Sequence, residues 1–328
     1  MTTFKEIRGT AVESVSSDPT NPEVGQIWYN NTIGVLKGYR SIGGAWASGP
    51  SLTNTQAYGV GAGTATATVI FGNATSPTPD TLTQKYDGTS WTASGNLNSG
   101  RHSMAPAGTQ TAALSSFGTG GVGGGTATEE FNGSTWSTET SGSTGRRYLG
   151  GCGLQTAAAS FGGVNPTGNI SATELYNGST WTGSGNMNTA RGVVGGCGTQ
   201  TSALAAGGGI FPPVASSAAS ESFNGSTWTT TSSMNTARRT QQCLIGSQTN
   251  AIVSGGFTTA VTGITESWNG TSWTSSPPTA SLGTARYNTE SAGTATSALI
   301  TGGSGPSNLT STEIWTDPTL AVQKITTS

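Results

Sequence analysis

The chain has 328 residues and a formal net charge of −2, and only 9% of its residues are Asp, Glu, Lys or Arg, against 51 glycines. So few charges and so many glycines exclude long solvated helices, and the slight acidity excludes a basic field for nucleic-acid phosphates. No run approaches the roughly 18 apolar residues of a membrane span, and MTTFKEIRGT lacks a leader's apolar core, so a soluble, cytoplasm-made protein without membrane insertion is expected.

Residues 1–45 differ from all that follows. They carry charge clusters and two hairpin-like runs, QIWYN and VLKGYR, around NTIG. The expected organisation is an extended arm or hairpin over 1–35 and a repetitive domain over 36–328.

From there one phrase recurs: YDGTSW at 86–91, FNGSTW at 131–136, YNGSTW at 176–181, FNGSTW at 223–228 and WNGTSW at 268–273. GGAW, ending at Trp46, is an earlier relative, and successive tryptophans from Trp46 to Trp273 stand 45, 45, 45, 47 and 45 residues apart. Between tryptophans each unit has a polar connection, a Gly-punctuated run, a TQT-like turn, an apolar run ending in Gly-Gly, a variable loop and an ATE-aromatic run. Four strand-like runs with turn signals between them make one antiparallel blade, which buries its faces only by stacking on copies. The expected fold is therefore all-β, a β-propeller of six four-stranded blades, with seven as the alternative. The repeats fall at about 47–91, 92–136, 137–181, 182–228, 229–273 and 274–320. The last unit carries Arg286, Gly302, Gly303 and Trp315 but no NGSTW. Its outer strand is expected from the segment around Trp46, or alternatively from the tail LAVQKIT.

Asn-Gly or Asp-Gly before a Ser/Thr-Trp pair predicts a type I′ hairpin. The repeated Trp reads as a packing anchor between blades rather than a sugar platform. Cys152, Cys197 and Cys243, 45 and 46 residues apart, read as free, buried side chains at matching repeat positions. With one histidine and no CxxC, no metal site is expected. GTGGVG at 118–123 satisfies a phosphate-loop pattern but precedes no helix, and His102 reads as a surface side chain.

Arg101, Arg146, Arg191 and Arg238 stand ten residues after a Trp, and Arg286 thirteen after Trp273. Glu129, Glu174, Glu221, Glu266 and Glu313 stand two before each repeat's aromatic. In the first unit these places hold Gln56 and Gln84, so both charges vanish together. Pairing within a blade strands no charge there, whereas pairing between blades would strand two, so within-blade structural salt bridges are expected. The few ionisable groups left over predict no enzymatic activity, with Asp80, Asp87 and Glu139 the carboxylates remaining in loops.

Loops between second and third strands vary while the tight turns do not, so recognition is expected on the loop face. Candidate binding residues there are Asn165, Phe211 (followed by Pro212 and Pro213), Phe257 and Asn308.

The Gly-Gly of the second strand, the aromatic of the third and the Trp of the fourth resemble kelch repeats over about residues 46–320. The N-terminal 45 residues, joined to such Ser-, Thr- and Gly-rich repeats, resemble the start of tail or virion structural proteins of marine bacteriophages, cyanophages included. That resemblance implies a non-enzymatic bacteriophage virion protein, tail-fibre-like or on the capsid surface, assembled in the host cytoplasm and located in the virion. Its arm would attach to other virion proteins, its recognition face would meet a host-surface glycan or protein, and it would form a homo-oligomer such as a trimer. No cofactor and no nucleic-acid partner are implied. The alternative is a carbohydrate-binding or carbohydrate-active propeller, a lectin or glycosidase.

Overall fold

The structure, a computed structural model, describes residues 12–22, 26–42, 44–74, 80–120, 124–211, 215–239, 243–276, 280–317 and 319–325. The chain divides into two compact units, Met1–Gly44 with Asp317–Ser328, and Ala45–Thr316.

The smaller unit is one four-stranded sheet in the order Glu13–Val15, Ile27–Asn30, Val35–Ile42 and Thr319–Lys324, its first pair parallel and the others antiparallel. The Asp18 carboxylate knots it together, accepting from Lys37 Nζ at 2.6 Å, Asn30 Nδ2 at 3.0 Å and Trp28 Nε1 at 3.1 Å. These donors, Lys37 foremost, hold the Asp18 carboxyl down at about 2. The boundary therefore falls at residue 44 rather than 35, and the tail LAVQKIT leaves the propeller. The long strand Val35–Ile42 has a free edge, and the tail satisfies those backbone groups along six paired positions.

The larger unit is a six-bladed propeller of four-stranded antiparallel sheets. The innermost strands of blades 1 to 6 are Val60–Thr64, Ala105–Thr109, Gly150–Leu154, Gly195–Thr199, Leu244–Gly246 and Glu290–Gly293. Each lies against the next and the sixth lies against the first. The approach is so close that a Cβ on Gly61 of blade 1 would sit 2.5 Å from Ser291 O of blade 6. A narrow axial channel of about 110 Å³ remains, lined by all six strands. The sixth blade runs Glu290–Gly293, Ser297–Thr301, Thr312–Thr316, and then takes Ala45–Gly49 as its outer strand, with Trp46 opposite Trp315. The ring is thus closed by the Trp46 segment.

Every seam between blades carries the same bond, in which the outer-strand indole N–H donates to a third-strand hydroxyl of the preceding blade. Trp136 donates to Thr83, Trp181 to Thr128, Trp228 to Thr173, Trp273 to Ser220, Trp46 to Thr265 and Trp91 to Thr312, all at 2.9–3.1 Å. The repeating Trp is a seam residue, fitting an apolar body and a single donor to one place. A second staple appears at four seams: Gln110, Gln155, Gln200 and Gln248 of the TQT-like turns each donate to two carbonyls of the preceding blade. Blades 1 and 6 have Ala65 and Ala295 there, so both seams of blade 6 lack this staple.

The NGSTW phrase forms a four-residue loop, Asn132 to Thr135 between the paired Phe131 and Trp136, instead of the expected type I′ turn. Gly133 takes a φ of 95°, while none of the loop Asn or Asp residues is left-handed. The Asn132 Oδ1 accepts from the amides of Ser134 and Thr135 at 3.0 and 2.9 Å, replacing the backbone acceptor of a tight turn. Asp87, Asn177, Asn224 and Asn269 do the same.

The three cysteines are free and buried. Cys152 and Cys197 occupy matching channel positions, one residue before the left-handed Gly153 and Gly198. Cys243 does not match them: Ile245 precedes the corresponding Gly246, and blade 5 has one more residue between its Trp and that glycine.

Candidate functional site

Five buried ion pairs prepare the site, each inside one blade. Arg101 meets Glu129 at 2.8 Å, Arg146 meets Glu174 at 3.2 Å, Arg191 meets Glu221 at 2.6 Å and Arg286 meets Glu313 at 2.7 Å; Arg238 pairs with Glu266. The carboxylates also accept from the connection entering the blade, as Glu129 does from Asn98 N at 2.7 Å. The guanidinium reaches the loop between second and third strands, as Arg101 does to Phe117 O and Ala127 O. Each pair thus ties the two loop-face segments of its blade together. Blade 1 makes the same bonds without charge. Gln84 Nε2 donates to Gln56 Oε1 at 2.9 Å, Gln56 Nε2 to Gly72 O, and Gln84 Oε1 accepts from Thr53 N.

Two residues past Gln56, Arg101, Arg146, Arg191 and Arg286 the backbone turns left-handed, at Tyr58, Ser103, Tyr148, Val193 and Asn288, with φ between 52° and 62°. A non-glycine residue adopts that conformation only when its surroundings compensate. Here the compensation is a head-to-tail chain of amide bonds around the axis. Tyr58 N donates to Asn288 O, Ser103 N to Tyr58 O, Tyr148 N to Ser103 O and Val193 N to Tyr148 O, at 2.6–2.9 Å.

This rim surrounds a pocket of about 310 Å³, lined by Tyr58, Tyr148, Val193, Phe211, Arg239, Phe257, Tyr287 and Asn288. Ring pairs line and flank it: Phe257 and Tyr287 lie 5.5 Å apart and Tyr58 and Tyr148 6.5 Å, with His102 5.8 Å from Tyr58. The Arg239 guanidinium lies 4.1 Å over the Phe257 ring, and Arg147 lies 5.3 Å over Tyr148. Burial, with Tyr287 and Tyr148 alongside, pushes the Tyr58 phenol up to about 12 from an ordinary 10. Burial, then the nearby Arg147, pulls His102 down to about 4. His102 is therefore a half-buried neutral imidazole beside the rim rather than a surface side chain.

Of the four candidates from sequence, the structure brings Phe211 and Phe257 together in this pocket. Asn165 and Asn308 do not line it. Asn165 Oδ1 closes its own turn onto Thr167, and Asn308 Oδ1 accepts from Ser304 Oγ. A different amide supports the site: Asn169 Nδ2 donates to Phe211 O at 2.7 Å. Pro212 and Pro213, like residues 121–123 of GTGGVG, lie outside the described residues. Tyr58, Tyr148, Tyr287 and Arg239 were not candidates. Their signal is that the two residues after each Arg or Gln56 read AY, HS, RY, GV, RT and YN in a repeat otherwise monotonous nearby. The loop carboxylates lie elsewhere: Asp87 fills an NGSTW-type loop and Glu139 accepts from Ser137 in an outer strand.

No family model matches the chain, and no curated protein matches it. Among solved structures it is similar in fold to YjhT, with a TM-score of 0.68 and 16% identity, covering 84% of this chain and 99% of that one. This likeness overturns the expectation of a chain without enzymatic activity. A shared propeller fold leaves the chemistry open, so a shortage of ionisable groups outside the pairs does not remove the chain from the enzymes. The likeness establishes the fold: the chain is a β-propeller.

Proposed function

We propose that the chain is a carbohydrate-recognising propeller that binds, and acts on, a saccharide at the aromatic mouth. The observation carrying this reading is that Tyr58, Tyr148, Phe211, Phe257 and Tyr287 all line one pocket of about 310 Å³. Aromatic faces stack on the C–H faces of sugar rings, and phenol, amide and guanidinium edges select the hydroxyls. Tyr58, a pocket-lining phenol, supplies a hydrogen-bond donor for a sugar hydroxyl. A glycan array followed by a hydrolysis assay on the retained sugars tests the reading. Phe257→Ala and Phe211→Ala are expected to lower retention at unchanged melting temperature, and a full array with no retained glycan would sink it.

The phage-like N-terminal segment and the kelch-like repeats favour placing this mouth on a bacteriophage particle, where the arm attaches to other virion proteins and the mouth meets a host-surface glycan. Phage carrying Phe257→Ala should then adsorb poorly. Normal adsorption with failed assembly would assign the face to contacts within the particle instead.

A further inference from the structure

The cations of the propeller can be accounted for one by one. Between Ala45 and Thr316 the side-chain cations are Lys85, Arg101, Arg146, Arg147, Arg191, Arg238, Arg239 and Arg286. Five of these arginines belong to the buried pairs, and Lys85 donates to Gly133 O on the turn side of a blade. Arg147 and Arg239 remain. Both directly follow a paired Arg, both lie over a ring of the mouth, and neither has a carboxylate partner among the described residues. Arg239 is half-buried, and its Nε is enclosed without a hydrogen-bond partner. Segments 75–79, 121–123, 212–214, 240–242 and 277–279 contain no Asp or Glu, so their composition offers no counter-charge either.

An unpaired guanidinium, stacked and half-desolvated at a pocket wall, is costly unless an anion completes it. We infer that the mouth takes an anionic saccharide, whose carboxylate or sulfate ester is received by Arg239 with Arg147 adding to the field, while the sugar ring stacks on the aromatic wall. The Arg239 guanidinium, held 4.1 Å over the Phe257 ring, is a planar fork of donors suited to an oxyanion. The inference rests on the saccharide reading above and specifies its ligand class.

The test uses the full chain and calorimetric titration with matched ligands: an oligogalacturonate and its methyl ester, and a sulfated galactan oligosaccharide and its desulfated form. Binding is expected to be at least about tenfold tighter for one charged member than for its neutral partner, as one charge-assisted contact provides, and to weaken with salt. Preference for the uronate assigns a carboxylate, and preference for the sulfated form a sulfate. Arg239→Gln should abolish the preference and Arg239→Lys should keep part of it, at unchanged melting temperature. If Arg239→Gln does not fold, Arg147→Gln supplies the second variant and should reduce the salt dependence. Equal binding of charged and neutral partners would overturn the inference and leave the saccharide reading standing, whereas an array without any retained glycan would overturn both.

Discussion

Glu290 offers a sharp test of how this propeller holds its last blade. It opens the inner strand of blade 6, where the other blades have Val60, Ala105, Gly150, Gly195 and Cys243, and it is 0% exposed. Its Oε1 accepts from Gly59 N of blade 1 at 2.9 Å, while Oε2 has no hydrogen-bond partner among the described residues. Arg286 is near enough to favour the anion but is bonded to Glu313. Burial therefore dominates and pushes the carboxyl up to about 8 from an ordinary 4.5. A folded pKa above the unfolded one means that the folded state holds the proton longer. The stability tied to this group is complete below about pH 4.5 and is lost as pH rises through 8. At ~1.4 kcal/mol per pH unit, the span from 4.5 to 8 amounts to about 5 kcal/mol, of which about 4 kcal/mol falls between pH 5 and 9, at a seam that lacks a Gln staple. Glu290→Gln retains an acceptor for Gly59 N and removes the titration. Urea midpoints of both proteins from pH 5 to 9 should show the wild type losing about 4 kcal/mol relative to the variant, whatever constant offset the buried amide adds. A difference that stays flat across that window would refute the reasoning.

Three further outcomes are expected. Arg191→Ala or Glu221→Ala alone should cost about 3–5 kcal/mol by stranding the buried partner, and a double-mutant cycle should show strong coupling between them and little between Arg191 and Glu174. Arg191→Gln combined with Glu221→Gln, the arrangement of blade 1, should recover most of that loss, read by denaturant midpoint. Trp46→Phe, which deletes the bond to Thr265 Oγ1 but keeps a ring in the closing strand, should cost about 1 kcal/mol, and Trp46→Ala about 3 kcal/mol or more with blade 6 exchanging its amides first. Asn177→Ala, which leaves the amides of Ser179 and Thr180 without their acceptor, should cost about 1 kcal/mol by thermal melting without altering glycan retention.

Much of this architecture follows from sequence alone, because a repeat writes each structural requirement several times. The Trp period predicts the blades, and the missing sixth NGSTW predicts that a distant segment closes the ring, by preference the one around Trp46 and otherwise the tail. The joint loss at Gln56 and Gln84 shows that a pair is a local unit, since only partners within one blade can disappear together without leaving a buried charge. Turn geometry was less legible: Asn-Gly suggests a type I′ hairpin, but the Asn side chain can itself accept the two amides and so stabilises a four-residue loop. The tail LAVQKIT was claimed by whichever sheet had an open edge, a matter of long-range pairing invisible in the run itself. The mouth depended most on tertiary structure. Tyr58, Tyr148, Arg239 and Tyr287 lie in four different blades, and each is unremarkable in its own repeat. Only the closing of the ring, which brings residues one or two places after a buried Arg or Gln to one axis, turns them into a single pocket.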